Sequence, residues 1–409
     1  MKILVLTQYF WPENFRINDL TAGLVEKGHE VTVLTGIPNY PGGSFFPGYG
    51  MFKNMRQGYR GAKIIRVPLV PRGNGGKFRL VFNYFSFAFF ASILAPFVCS
   101  GKYDVIFVYE PSPISVGLPA IVLKKIKSAR ILFWVQDLWP ESLSATGAVS
   151  FSPVLTIVKR LVRFIYHECA LILVQSRAFI PSVQSFGIDS ERILYFPNSA
   201  EEFYRPVEMK ADAVERKLIP PGFIVMFAGN IGAAQDFGTI IAAAEILKGY
   251  EAIHWVIIGD GRMLPWVREE ITVRNLNANF LFLGRHPAEM MPQYFALADV
   301  LLVTLKDEEI FSFTIPAKVQ SYLACAKPII ASLSGEGARV IQESGAGFSC
   351  PPENPDALAK MVLKMYHMDE RERHSIGLKG RRYFENNFER EMLLEQLNKI
   401  LKDAEGGRG

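Results

Sequence analysis

Two successive series of short apolar runs, each run followed by a stretch of helical spacing, restrict this chain to one architecture. In the first series KILVLTQYF, EVTVLTG, AKIIRVPLV, YDVIFVYEP, RILFWVQDL, ALILVQS and RILYFPNS are rich in Val, Ile, Leu and Phe. Runs of this length and composition suit a parallel sheet covered on both faces. Helical stretches such as NDLTAGLVEKGHE separate them, with Gly28 at a C-cap position. From Ala200 to Gly222 the chain carries Pro206, Pro220 and Pro221 and reads as a linker. The series then restarts with FIVMFAGN, AIHWVIIGD, NFLFLGR, VLLVTL, KPIIAS and GFSCPP, and the rest of the chain is helical throughout. The expected fold is α/β, with two doubly wound Rossmann-like domains facing across a cleft and ligands at the carboxyl ends of the strands. The expected boundaries are 1–200 and 223–385 for the two domains, with a linker at 201–222. A C-terminal helix at 386–409 is expected to pack back on the first domain.

A chain of 409 residues is long enough for two cores. Its four cysteines, Cys99, Cys169, Cys325 and Cys350, are scattered without metal-ligand spacing, which suits reduced thiols in a cytosolic protein. The N-terminus has no cleavage-site pattern and reads as a first strand, not a signal peptide. The net charge of +5 divides unevenly, +9 over residues 1–205 and −4 beyond. Between Val31 and Tyr103 there is no acidic residue, while Lys53, Arg56, Arg60, Lys63, Arg66, Arg72, Lys77, Arg79 and Lys102 lie there. This is either a solvated basic face or a surface for anionic lipid or a phosphorylated substrate. No nucleic-acid-binding motif accompanies it, so nucleic acid is not expected.

Beside that run, Leu80 to Val98 has 19 residues without a charge. Three placements are open for it: a core helix, a helix dipping into the membrane interface, and a span. A span would put Tyr103 to Pro111 across the bilayer from the strands it must pair with.

Several strand ends carry chemistry. FAGNIGAAQDFGTII passes from strand to glycine turn to helix, so Gly229 and Gly232 let backbone amides approach a phosphate at a helix N-terminus. VIIGDG repeats the device with Gly259, Asp260 and Gly261, FLFLGRHP ends in Arg285 and His286, and FSFTIPAKVQ places Thr314, Ile315 and Pro316 before a helix whose first turn holds Lys318. Turn formation alone explains any one of these; four along one sheet edge favour a nucleotide. Neither first strand is followed by G-x-G-x-x-G, and no Walker lysine loop occurs. In the first domain ILFWVQDLWPES brings Gln136, Asp137 and Glu141 to a strand end, and VIFVYEPSP brings Glu110. Asp137 either positions or deprotonates a hydroxyl, or is a turn carboxylate. Glu141 has the place of a helix-start carboxylate. GIPNYPGG, with Asn39 and Tyr40, is a Gly/Pro loop suited to closing over a ligand.

The ordered set KGHEVTVLTG, FAGNIG, VIIGDG, FLFLGR, ADVLLVTL and IPAKVQSYLACAKPIIAS resembles a family-4 retaining glycosyltransferase of the GT-B fold, over essentially the whole chain. IPNYPGG, VQDLWPES and IPAKVQSYLA resemble a bacterial surface-polysaccharide branch that includes transferases of N-acetyl-L-fucosamine. The resemblance implies a nucleotide-diphosphate sugar donor, UDP-linked by family habit, on the C-terminal domain and no metal. It implies an acceptor on the N-terminal domain, a polyprenyl-diphosphate-linked glycan, with an enzyme peripheral on the inner face of the cell membrane and in contact with its anionic surface. It further implies front-face substitution, in which the donor phosphate helps deprotonate the acceptor and cations and helix N-termini stabilise the leaving diphosphate.

The departures from the family pattern are specific. Its Arg and Lys after the first C-terminal strand align with Asn230 and Gln235, and Arg285, Lys318 and Arg16 are the candidate replacements, Lys318 first. Its paired glutamates fall at Phe313 and Ser321, so Ser321 or Gln320 would contact the ribose instead; Glu308 or Glu309 either contacts the sugar hydroxyls or is solvated, and Glu336 either contacts ribose or sugar or caps its helix. Its glycine pair after the first strand is replaced by Asn14 and Phe15, and its His near the reacting centre by Gln136. Two rival functions share the fold: a UDP-sugar 2-epimerase and a catalytically silent subunit that binds nucleotide sugar.

Overall fold

The computed structural model describes residues 1–73, 76–145, 152–210 and 212–406. It divides into two compact units, Met1–Asn198 with Leu393–Gly409, and Ser199–Met392. The stretch expected to be a linker packs with the second unit, where Tyr204 stacks on Phe295 at 6.2 Å between ring centroids.

Among the described residues the first unit holds eight strands: β1 (Lys2–Leu6), β2 (Glu30–Gly36), β3 (Arg56–Tyr59), β4 (Ala62–Val67), β5 (Val105–Glu110), β6 (Arg130–Val135), β7 (Leu171–Val174) and β8 (Ile193–Tyr195). They lie in the order β3-β4-β2-β1-β5-β6-β7-β8. All neighbours are parallel except β3 and β4. β3 is not expected from the sequence because RQGY has no apolar run. A two-residue turn makes it: Arg60 and Gly61 at φ +43° and +86° match the twist of a tight hairpin.

The helix Lys77–Val98 connects β4 to β5, and β5 pairs with β1 in the same sheet. Both its ends therefore belong to one side of any bilayer, and it cannot span one. Nor is it a core helix, which corrects that alternative. Asn83, Phe87, Ala88, Ala91 and Ala95 face inward and are buried, while Phe78, Val81, Phe82, Phe85, Phe89, Ile93 and Phe97 are exposed. The inner side is narrow because alanines let the helix lie close to its neighbours; the outer side is left without protein cover. The basic run is also less uniform than its sequence suggests. Lys53, Arg56, Arg60, Lys63, Arg79 and Lys102 are exposed, but Arg66 is 2% exposed and belongs to the interior.

The helix Arg390–Gly406 completes the first unit, burying Leu393, Leu394, Leu397, Leu401 and Ala404. Leu394 fills the space over Gly23, where a Cβ would lie 2.6 Å from its Cδ2. Arg130 donates to the Ala404 carbonyl at 3.0 Å, and His29 pairs with Asn398 at 3.0 Å.

The second unit has six parallel strands: β9 (Phe223–Ala228), β10 (Ile253–Ile258), β11 (Phe280–Gly284), β12 (Val300–Thr304), β13 (Ile329–Ser332) and β14 (Gly347–Cys350), ordered β11-β10-β9-β12-β13-β14. Alternate residues of β9 enter different cores, Val225 and Phe227 with Ile240 and Leu358, and Met226 and Ala228 with Val319 and Tyr322. The sheet is thus covered on both faces. Strand order reverses between β9 and β12, the switch point at which such sheets open a crevice for ligands.

Candidate active site

At the switch point of the second unit the loops after β9 and β12 are tied together. The Thr304 hydroxyl donates to the Gln235 carbonyl at 2.5 Å, and the Lys306 amide to the Ala234 carbonyl at 3.0 Å. The loops after β9 and β10 are laced by Ile231 N–H to the Asp260 carbonyl at 2.8 Å and Met263 N–H to the Ile231 carbonyl at 3.0 Å. Gly259 and Gly261 are required by this packing, since a Cβ at either would strike the backbone of Gly229 or Ile231. Gly229 is required by its backbone, at φ +142°, and a Cβ there would lie 2.6 Å from Lys318 Cε. Gly232 is hemmed only by the Asn230 side chain. Asp236 caps the following helix Phe237–Ile246, accepting from the Thr239 amide.

Lys318, in the first turn of the helix Ala317–Ala324, is the cation this arrangement presents. Its Nζ donates to Gln235 Oε1 at 2.6 Å and stands 3.6 Å from the ring centroid of Phe227. Burial pushes its ammonium down to about 7, because the cost of holding charge there is met by one amide and a ring face. Thr314, Ile315 and Pro316 lead into this helix, with Ile315 buried and Pro316 at the N-cap. Ser321 is buried and its hydroxyl donates back to the Ala317 carbonyl at 3.1 Å. Glu336, 7% exposed at the start of the helix Gly335–Ser344, is gripped on both oxygens by Arg339 at 2.8 and 2.9 Å. That ion pair gives it a structural occupation the sequence did not show. Asn230, Asp260 and Arg285 are exposed at the same sheet edge. Lys306, half-buried two residues past β12, is a cation that sequence reasoning missed; its position beside the β9 loop depends on the strand order.

In the first unit the carboxyl ends of β5 to β8 gather the other candidates. The Gln136 amide donates to the Glu110 carbonyl at 3.0 Å. Gln136, Gln175 and Asn198 form an amide cluster, with Asn198 Nδ2 to Gln136 Oε1 at 2.8 Å and to Gln175 Oε1 at 2.9 Å. Asp137 lies beside them, and burial pushes its carboxyl up to about 6, the Ser142 hydroxyl and the Leu138 amide drawing it only part of the way back. Glu110 is wholly buried, and neither carboxyl oxygen is paired by a hydrogen bond of normal geometry. Burial, then the charge of Asp137, hold it well above the carboxylate range, so it is a neutral acid beneath the site rather than a group on its surface. Glu141 opens the short helix Glu141–Ala145 and accepts from the Ser182 hydroxyl at 2.7 Å.

At the ends of β1, β2 and β4 lies a polar hub that the sequence hid. The Glu13 carboxylate, 2% exposed, receives the amides of Asn39 at 2.8 Å, Tyr40 at 2.7 Å and Phe10 at 3.2 Å. Burial pushes Glu13 up to about 7 against these three donors and the nearby Arg66. Asn39 is fully buried; its side chain donates to the Ile37 carbonyl and accepts from the Arg72 amide, so it shapes the loop instead of lining its surface. Asn83, from the apolar helix, bonds Gln8 at 2.7 Å and the Val70 carbonyl at 2.6 Å. Phe15 and Tyr40 remain at the surface with Asn14, and Arg16 begins the helix Arg16–Glu26. The single clue in the sequence was an asparagine inside an otherwise apolar helix. Among the described residues no group of three or more His, Cys, Asp or Glu is arranged to hold a metal ion.

Comparison with known proteins bears on these two sites. Residues 14–199 match a family described as glycosyl transferase 4-like domain, and residues 222–368 one described as glycosyl transferases group 1. WbjE of Pseudomonas aeruginosa, named as a glycosyltransferase, is 27% identical over 267 residues, 64% of this chain and 65% of that protein. The match therefore spans just under two thirds of that relative's length. WcaI of Escherichia coli, assigned by name to colanic acid biosynthesis as a glycosyl transferase, is 25% identical over 79% of this chain and 81% of its own. Among solved structures, HepE of Anabaena in complex with UDP superposes with a TM-score of 0.72 at 15% identity, covering 98% of this chain and all of HepE. These matches favour transfer over the epimerase and silent-subunit alternatives. The chain belongs to the glycosyltransferases of the GT-B fold, built from a glycosyl transferase 4-like domain followed by a group 1 domain.

Proposed function

We propose that this enzyme transfers a sugar, an N-acetylated deoxysugar such as N-acetyl-L-fucosamine, from a UDP-linked donor to a polyprenyl-diphosphate-linked glycan. The reaction belongs to bacterial surface-polysaccharide synthesis, with the enzyme peripheral on the cytoplasmic face of the cell membrane. The observation that carries the reading is the uncovered apolar face of the helix Lys77–Val98, with Phe78 84%, Phe82 64% and Phe97 81% exposed beside exposed basic residues. A soluble substrate gives no reason for such a face; a lipid-anchored one does. The colanic acid assignment of WcaI and the UDP bound to HepE support the acceptor class and the donor base.

In this reading Lys318 and Gln235 meet the donor diphosphate, with the amides at Gly229 and Gly232 and the start of the helix Phe237–Ile246 beside it. Their fixed dipoles oppose the charge that develops as the diphosphate leaves. On the acceptor unit Asp137 orients the attacking hydroxyl, its proton passing to the donor phosphate in a retaining, front-face substitution. The charge of Asp137 helps keep the buried Glu110 protonated beneath it. The test is incubation with a panel of UDP- and GDP-sugars and short-chain prenyl-diphosphate-linked GlcNAc or FucNAc, read by mass spectrometry. A sugar-sized gain on the acceptor with UDP donors is expected. No gain on either prenyl-linked acceptor, or a gain only from GDP-sugars, would sink the acceptor or the donor assignment respectively.

A further inference from the structure

Three segments of the first unit meet at the ends of β2 and β4: the Asn39–Gly43 loop, the Arg72–Gly73 turn, and the first turn of the helix Lys77–Val98. The Gly73 amide donates to the Gly43 carbonyl at 2.8 Å, and the Arg72 amide to Asn39 Oδ1 at 3.1 Å. The Arg72 guanidinium lies 5.0 Å from the ring centroid of Tyr40 and 5.8 Å from that of Tyr9, and its Nη1 donates to the Tyr9 hydroxyl at 2.9 Å. Phe15 closes the aromatic group at 5.1 Å from Tyr9 and 5.3 Å from Tyr40. Arg79 lays its guanidinium on the neighbouring residue: a Cβ on Gly73 would lie 2.6 Å from Arg79 Nε and 3.0 Å from Cζ. The Arg79 guanidinium thus packs on the turn residue next to Arg72, whose own guanidinium lies on Tyr9 and Tyr40. Among the described residues neither has a carboxylate partner, and no acid occurs in the sequence from Val31 to Tyr103.

This pair is held ready for an anion. Arg72 spends one of its five donors on Tyr9 and is bracketed by rings, so little freedom is lost when the others bind. The loops beneath it are fixed by Glu13 and Asn83. From Arg79 the exposed face continues along the same helix as Phe78, Phe82, Phe85 and Phe89, the spacing of one helical stripe. A cationic fork at the head of an apolar stripe matches a molecule with an anionic head and a long apolar tail.

We infer that Arg72 and Arg79 bind the diphosphate of the prenyl-linked acceptor, with its isoprenoid chain running along Phe78, Phe82, Phe85 and Phe89. The inference rests on the acceptor class proposed above. It is tested on the full chain by calorimetry with farnesyl diphosphate, farnesol and inorganic pyrophosphate. Farnesyl diphosphate should bind tighter than either of the others. Arg72→Gln and Arg79→Gln should each weaken it about tenfold or more, while an unchanged melting transition of the first unit reports that this unit remains folded. Phe82→Ser with Phe85→Ser should weaken farnesyl diphosphate and leave pyrophosphate unchanged. Farnesol binding as tightly as farnesyl diphosphate would overturn the inference. So would wild-type affinity in the Arg72→Gln/Arg79→Gln variant, even with transfer to prenyl-diphosphate glycans intact; that pattern leaves the proposed function standing. A wild-type enzyme that neither binds farnesyl diphosphate nor glycosylates a prenyl-diphosphate acceptor removes both.

Discussion

At Lys318 two demands of an anion site compete. A charged ammonium attracts diphosphate, and burial against Phe227 removes the charge near pH 7. Asp137 shows the mirror case, a carboxyl kept protonated up to about 6 by burial. In the free enzyme Asp137 is ionised only above about pH 6 and Lys318 is charged only below about pH 7, so kcat/KM should form a narrow bell between them. Bound donor diphosphate stabilises the ammonium, so the alkaline limb of kcat should lie at higher pH than that of kcat/KM. Asp137→Asn should flatten the acid limb. Lys318→Met should flatten the alkaline limb and weaken UDP binding about tenfold or more. An alkaline limb that persists in Lys318→Met would show that another group sets it. Neither feature is readable from spacing, since Lys318 reaches Gln235 across 83 residues of sequence.

Among the elements, the helix Lys77–Val98 carries the sharpest consequence. Its outward phenylalanines contribute nothing to the interior, so replacing them by charge should leave the fold intact, whereas each seated in lipid would stabilise docking by roughly 2 kcal/mol. Phe82→Asp with Phe89→Asp should therefore abolish flotation on anionic vesicles without changing the melting temperature or UDP affinity. Unchanged flotation would sink the membrane role of this face. Asn83→Leu, on the inner side, should do the reverse, lowering stability by about 2 kcal/mol because Gln8 and the Val70 carbonyl lose their partner. Length and hydropathy made this helix visible in the sequence but could not orient it. Orientation came from pairing β5 with β1, a contact about which local composition says nothing. The apolar strands were legible for the opposite reason, each being self-sufficient as a Val/Ile/Leu run. Glycine loops were legible as turns, yet Gly259 and Gly261 serve neighbouring loops as much as any ligand. Glu13 was not legible, because its three donors come from segments up to 27 residues away and a lone glutamate after a strand has no pattern.

On the scale of the whole molecule, the chain passes between its units twice, at 198–199 and again at 392–393. The first unit is therefore finished by a helix that is synthesised only after the whole second unit. Until Arg390–Gly406 arrives, the surface over Gly23 and the neighbouring strand ends lacks Leu393, Leu394, Leu397 and Leu401. Burying four leucines contributes about 8 kcal/mol as an upper estimate, comparable to the whole stability of a domain. A chain ending at residue 389 should thus lose the unfolding transition of the first unit in calorimetry or aggregate through the bared patch. Leu394→Ala with Leu397→Ala is the milder form, expected to cost about 5 kcal/mol and to lower the melting temperature of that transition while UDP binding to Ser199–Met392 persists. Should the truncated chain melt like the full one, the C-terminal helix would be an appendage and the first unit would already be complete at Asn198.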